Sequence, residues 1–351
     1  MSNVKTLWYT RCPVPTPLGI ASRLGWVEEE FARDGIEVRT LQDEVDPRIK
    51  ESHFTHHLEN SFRQGGNIPA IWARASGRDT KVVGLTWTDE AQVILTSSQS
   101  SIRTVADLKG KRLGVVTRPD DVIDFWKATT IRAYLVTLGL RGLTENDVTF
   151  VELPRAGTNA TDRGWFDIPL AKSVEAEALA EGKVDAIFHK GSRGLELADE
   201  IGARILFDVG THPDTSARVN NGSPRTLTVD AGLIERDFPL VVRLLKKVIL
   251  AGQWAEANRS SAIAYVAKET RSPVAAVERG YGPDVHRHLQ TDLSIEHIKA
   301  LGDFIQFLAD WRFIPKSFVA NDWVDPRPLR QALIELATET QAASAPIASV
   351  A

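Results

Sequence analysis

Apolar positions along the chain switch between two periods, and the switches mark out the elements. Leu7-Trp8-Tyr9-Thr10 is a β-prone run closed by Pro13 and Pro15, because proline has no N–H to give to a strand ladder. From about Thr16 to Ala32 the spacing becomes helical. Leu18, Ile20, Leu24, Trp26 and Val27 fall inward with Glu28, Glu29 and Glu30 outside, which predicts one helix. Asp34-Gly35 is a turn, and residues 36–41 alternate as a second strand. Phe54, Leu58 and Phe62 recur at four-residue spacing. That predicts a short helix from about Phe54 to Arg63, closed by Gly65-Gly66. Asn67 to Ala70 opens another apolar segment with Trp72, and residues 81–87 and 91–96 read as two strands.

At Ser97 to Ser101 the composition turns polar, as in a linker. Beyond it the periods alternate regularly. Residues 106–110 form a short helix and turn, 112–116 a strand, 124–138 an amphipathic helix, 148–153 a strand, 173–181 a helix, and 184–188 and 204–209 two strands. That alternation is the pattern of parallel βαβ units. After Gly210 comes a strand at 225–229. The chain is then nearly all helix, at 238–257, 260–270 and 295–308, and the small-residue tail from Ala345 to Ala351 is expected to be disordered. The predicted fold class is α/β with two lobes. Residues 1–99 and 211–351 form the first lobe with the C-terminal helices, and residues 100–210 form the second.

Composition narrows the function classes. The 351 residues suffice for two domains. A net charge of −4 leaves no electrostatic footprint for nucleic acid or an anionic membrane, so an anionic ligand needs a local positive site. The N-terminus lacks an apolar signal core and no apolar run is long enough to span a bilayer, so a cytoplasmic location is expected. Cys12 is the only cysteine. It has no disulfide partner within the chain, and a reducing cytoplasm keeps it a thiol. Nine tryptophans against four tyrosines suggest large flat pocket walls as well as core. No Walker loop and no G-x-G-x-x-G follows the first strand, so no organic cofactor is implied.

The candidate chemistry lies in two places. Cys12 is predicted between the end of a strand and the start of a helix, the edge at which open α/β sheets bind ligands. A helix N-terminus and the adjacent Arg11 would both favour a thiolate there. Between His53 and Gly66 the chain carries an imidazole, the Arg63 guanidinium and the Gly65-Gly66 pair. Histidine can exchange the thiol proton, arginine presents a planar fork to an oxyanion, and glycines let backbone N–H groups approach a ligand. Taken singly, each residue has a plainer explanation: a lone cysteine is more often core filler, and a Gly-Gly pair more often a turn. Three other arrangements compete. A solute-binding protein would hold a sulfonate, sulfinate or carboxylate without chemistry. His53 and His57, at i and i+4, could share a helix face towards a metal. A cysteine hydrolase of amides or esters would also use Cys and His, though arginine beside the thiol favours an anion.

Three stretches resemble the solute-binding fold of the nitrate/sulfonate/taurine type: residues 105–115, residues 176–186 with Gly182-Lys183-Val184-Asp185-Ala186, and Phe238-Pro239-Leu240-Val241 opening a long helix. The resemblance implies a type II periplasmic-binding-protein-like fold with a cleft between the lobes. Within it, Cys12-Pro13-Val14-Pro15, His53-Phe54-Thr55 and Arg63-x-Gly65-Gly66-x-Ile68-Pro69 resemble the 2'-hydroxybiphenyl-2-sulfinate desulfinases of dibenzothiophene desulfurisation. That resemblance implies a cofactor-free, cytoplasmic, monomeric hydrolase that cleaves the C–S bond of a small aromatic sulfinate and releases sulfite. It implies Cys12, His53 and Arg63 as catalytic residues, with Gly65, Gly66, Phe54 and Pro13 around the substrate and no metal. Cys12 is then either a proton donor to the ring carbon or a nucleophile at sulfur. Thr10-Arg11 before the cysteine, a shorter segment from Val116 to Asp124, and His56-His57 depart from the family pattern.

Overall fold

A computed structural model describes residues 3–155 and 168–344. The tail expected to be disordered lies outside them. Among the described residues, ten strands form two five-stranded sheets. They are β1 (Thr6–Arg11), β2 (Glu37–Thr40), β3 (Ser61–Gly65), β4 (Thr80–Thr86), β5 (Gln92–Thr96), β6 (Arg112–Thr117), β7 (Thr149–Pro154), β8 (Ala186–Lys190), β9 (Arg204–Asp208) and β10 (Arg225–Asp230). The first sheet runs β2-β1-β3-β10-β4 and the second β7-β6-β8-β5-β9. Among the described residues, no helix is long and apolar enough to cross a membrane.

The expected helix at 54–63 is absent, and this decides the geometry of the site. The helix is Pro47–Thr55, started by an Asp46 side chain that accepts from Arg48 N–H and by proline in its first turn. His56, at φ 50°, ends it in the left-handed conformation. The chain then enters β3, between β1 and β10 at the middle of the sheet. Phe54 and Phe62 do not share a helix face. Phe54 packs with Ile68 and Ile71 in one core, while Phe62 packs with Leu7, Tyr9 and Leu227 in the other. Arg63 is therefore a strand residue, and the segment after Gly66 is the helix Asn67–Ala75.

Other differences are smaller. The single helix expected at 16–32 is two, Pro17–Arg23 and Trp26–Ala32, divided by Gly25 at φ 76°, a conformation that glycine adopts without steric cost. The second sheet is mixed: β6 is parallel to β7 and β8, but β5 is antiparallel to β8 and β9. Because β5 pairs there, residues 92–96 join the second sheet, although the polar stretch expected to mark the boundary follows them. A helix that periodicity did not mark, Gly191–Glu200, follows β8.

The helix Ile295–Asp310 ties the sheets together. Leu301, Phe304 and Leu308 share one core with Val82 and Leu85 of the first sheet and with Leu113 and Val115 of the second. Phe304 is fully buried, worth on the order of 2–3 kcal/mol by area removed from water.

Candidate active site

Strand periodicity places the reacting groups. β1 and β3 run parallel with Thr10 opposite Arg63 and Arg11 opposite Gln64. The ladder continues one step beyond β1, where Cys12 N–H donates to Gln64 O at 3.1 Å. Side chains two apart share a face, so Thr10 and Cys12 lie on one face beside Arg63. The helix Pro47–Thr55 delivers His53 onto that face. Cys12 Sγ is 3.6 Å from His53 Nε2 and accepts from Arg63 Nη2 at 3.3 Å.

Arg63 is 2% exposed. Its Nε donates to His53 O at 3.0 Å and its Nη1 to Gly66 O at 2.8 Å. It thereby ties the histidine, the glycine and the thiol into one unit. Three of its five N–H groups are committed in this way, leaving two with which to meet an oxyanion. Burial, the larger cause, lowers the arginine's pKa, and the Cys12 sulfur opposes that. His53 still reaches the cleft surface, but the protein surrounds it. Desolvation, then the Arg63 charge, holds it well below the usual histidine range, so it is neutral at pH 7.

Thr10 and Gln42 are site residues that sequence reasoning missed. Thr10 Oγ1 is 2.7 Å from His53 Nδ1, and Gln42 Nε2 donates to Thr10 Oγ1 at 3.1 Å and to Arg11 O at 2.6 Å. With the Gln42 amide donating to the threonine oxygen, the hydroxyl proton is available to Nδ1, which leaves the imidazole proton on Nε2, facing sulfur. Arg11 turns away to an ion pair with Glu269 at 3.3 Å. The next helix begins only at Pro17, so the positive charge beside sulfur comes from Arg63.

The glycines act differently from one another. A Cβ on Gly65 would overlap the Cys12 sulfur, so Gly65 makes room for the thiol and does not line the cleft. Gly66 does line it. Its N–H makes no hydrogen bond among the described residues, whereas the Asn67 and Ile68 amides are taken by Asn221 at 2.9 and 3.0 Å.

These groups open onto one cleft, whose empty space is about 930 Å³ with the open solvent at its mouth included. Pro13, Phe54, Phe125 and Trp126 wall it on the apolar side. Residues from distant chain segments close it, among them Glu90, His189, Lys190, Asn221 and Arg225, none of which local periodicity singles out. His57 is exposed and bonds Thr55. With the helix ended at Thr55, His53 and His57 share no face for a metal. Among the described residues, no three His, Cys, Asp or Glu side chains converge as ligands.

His189 carries a pH signature. Its Nδ1 accepts from Lys190 N–H at 2.9 Å, and its Nε2 lies 3.8 Å from Glu175 Oε1. Burial, with Arg193 adding to it, pushes the imidazole down to about 4. A depressed folded-state pKa stabilises the fold above the unfolded value near 6.5, and that stability is lost as pH falls towards 4. The loss is on the order of 3 kcal/mol. Burial raises Glu175, which gives the opposite slope, so the comparison is made against His189→Asn. In urea titrations, the stability advantage of the wild type over the variant should shrink by that amount between pH 7 and pH 4. A pH-independent difference would contradict the assignment.

No protein-family model matches the chain. It is 28% identical to the 2'-hydroxybiphenyl-2-sulfinate desulfinase of Rhodococcus erythropolis, over 93% of each protein. It superposes with a TM-score of 0.70 and 25% identity on a cysteine-to-serine mutant of DSZB in complex with biphenyl-2-sulfinic acid, covering 94% of this chain and 99% of that one. The periplasmic aliphatic sulphonate binding protein SsuA from Escherichia coli gives a TM-score of 0.66 at 19% identity over 92% of each chain, a likeness of fold. The chain is thus a homologue of the desulfinases within the two-lobed solute-binding-protein-like fold.

Proposed function

We propose that this protein is a desulfinase that cleaves the C–S bond of a small aromatic sulfinate and releases sulfite, a hydrolase acting on carbon–sulfur bonds. The observation that carries the reading is the single thiol held between Arg63 Nη2 and His53 Nε2 in a homologue of the desulfinases. In this reading Cys12, His53 and Arg63 are catalytic. Gly66, Phe54 and Pro13 contact the substrate, and Gly65 acts by admitting the thiol. The protein works as a cytoplasmic monomer without a cofactor, on two lobes divided near residues 99 and 210, with β5 reassigned to the second.

The spare Arg63 N–H groups and the Gly66 N–H receive the sulfinate oxygens, and the ring lies along Phe54, Phe125 and Trp126. Two routes use the thiol. In the first, Cys12 gives its proton to the ring carbon bearing sulfur. The C–S bonding pair returns to the ring, sulfur dioxide leaves, and water converts it to hydrogensulfite. The thiolate regains a proton by way of His53. In the second, the thiolate attacks sulfur, the ring leaves with a proton, and water hydrolyses the cysteinyl–SO₂ intermediate. Trapping that intermediate by mass spectrometry separates the routes.

The test is sulfite release from 2'-hydroxybiphenyl-2-sulfinate and from benzenesulfinate. Release from either supports the reading. Tight binding of sulfonates with no release from any aromatic sulfinate would instead make the protein a solute-binding protein.

A further inference from the structure

The cleft holds charge that sulfinate chemistry does not use. Lys190 closes β8, Arg225 opens β10, and Glu90 lies in the crossing between β4 and β5. All three line the cleft. The Glu90 side chain is 2% exposed. One oxygen takes Lys190 Nζ at 2.6 Å, and the other takes Arg225 Nη2 at 3.4 Å. One carboxylate thus faces two cations. Arg225 is fully buried. Its Nη1 donates to Thr88 O at 3.3 Å, while its Nε has no hydrogen-bond partner among the described residues. A buried guanidinium N–H without an acceptor calls for an explanation. The arrangement is also sterically tuned: a Cβ on Gly222 would overlap the Glu90 carboxylate.

The described residues of the cleft wall carry four cations, Arg63, Lys190, Arg193 and Arg225, and one carboxylate, Glu90; Arg193 also feels the Glu196 carboxylate behind it. Burial keeps His53 and His189 neutral at pH 7. An aromatic sulfinate brings one negative charge to Arg63, and with Arg193 set against Glu196 one positive charge is left over, in a protein whose net charge is −4. Rings connect the two poles. His53, Phe54, Phe125, Trp126 and His189 follow one another with centroids 4.9, 6.3, 5.9 and 5.6 Å apart, and Lys190 is the next residue. A flat ring bound along this wall has the thiol at one end and the surplus charge at the other.

We propose that Lys190, Arg225 and Glu90 form a second anion subsite, and that the preferred substrate is a dianion: an aromatic sulfinate carrying a carboxylate or sulfonate remote from the sulfinate. This rests on the desulfinase reading for the sulfinate half only. Unreactive sulfonates probe the subsite without catalysis. By isothermal titration the wild type should bind 3- or 4-carboxybenzenesulfonate at least about ten-fold more tightly than benzenesulfonate. Lys190→Gln should bring that ratio to within about two-fold, and Lys190→Arg should keep most of it. Equal affinity for monoanion and dianions in the wild type overturns the proposal whether or not the variants fold. So does a preference that survives Lys190→Gln in protein whose melting shows it folded. Sulfite release from 2'-hydroxybiphenyl-2-sulfinate, benzenesulfinate and 4-carboxybenzenesulfinate by the same preparation tests the desulfinase reading separately. No release from any of them together with an intact dianion preference sinks that reading and leaves the subsite standing.

Discussion

Replacing Cys12 with serine is expected to lower sulfite release from an aromatic sulfinate at least ~10³-fold, on the scale seen when an activated nucleophile is removed. The sulfur accepts from Arg63 at 3.3 Å and sits 3.6 Å from the neutral His53, so both neighbours are arranged around this atom. Serine has nearly the same shape and fills the space that Gly65 leaves open. It does not supply a proton of thiol acidity or a thiolate near neutral pH. Binding of an unreactive aryl sulfonate should therefore stay within a few-fold of the wild type, and the melting temperature should hold. The measurement is sulfite release beside calorimetric binding for both proteins. Substantial release by the serine variant would remove the thiol from the reaction, whichever of the two routes is considered.

The second large effect is expected from Arg63→Lys, and it should appear in both activity and stability. The guanidinium is a buried hub bonded to the His53 carbonyl, the Gly66 carbonyl and the Cys12 sulfur. An ammonium at the end of a lysine stem keeps the charge but loses the fork that reaches all three at once. Each buried carbonyl left without its donor costs ~1–3 kcal/mol, so urea unfolding should show a loss of at least ~2 kcal/mol. Losing the oxyanion clamp should lower kcat at least ~10²-fold. Alkylation of Cys12 by iodoacetamide at pH 7 should also slow, because the Nη2–H that the sulfur accepts is gone. That readout separates loss of the charge arrangement from a general loosening, which would speed alkylation. Full turnover in a folded Arg63→Lys protein would mean that charge alone is sufficient and that the fork has no role in the chemistry.

The residues of the candidate site were largely legible along the chain, because they lie in short motifs. Cys12 beside Pro13, His53 beside Phe54, and Arg63 two residues before the Gly65-Gly66 pair all reach one cleft, except that Gly65 stands behind the thiol. Their local structure was misread where four-residue spacing at Phe54, Leu58 and Phe62 suggested a helix. Helical periodicity reports a shared face only if the residues meet the same neighbours. Here Phe54 and Phe62 serve different cores, and pairing with β1 and β10 outweighs the local pattern. That override puts Arg63 beside Thr10, and so beside the thiol.

The sequence by itself determined most of the alternation of strands and helices, the long apolar helices expected at 238–257 and 295–308, and the identity of the thiol, imidazole and guanidinium. These follow from side-chain period, helix caps and residue chemistry, which act over a few neighbouring positions. The tertiary structure alone decided that β3 is a central strand, that β5 belongs to the second sheet, and that Thr10 and Gln42 orient the histidine. It also decided that Lys190, Glu90 and Arg225 face the same cleft as Cys12. Glu90 is 100 residues from Lys190 and 135 from Arg225, and no local signal marks partners that far apart. They meet because two sheets, tied through the helix at 295–310, bring the ends of β8 and β10 to opposite sides of one buried carboxylate.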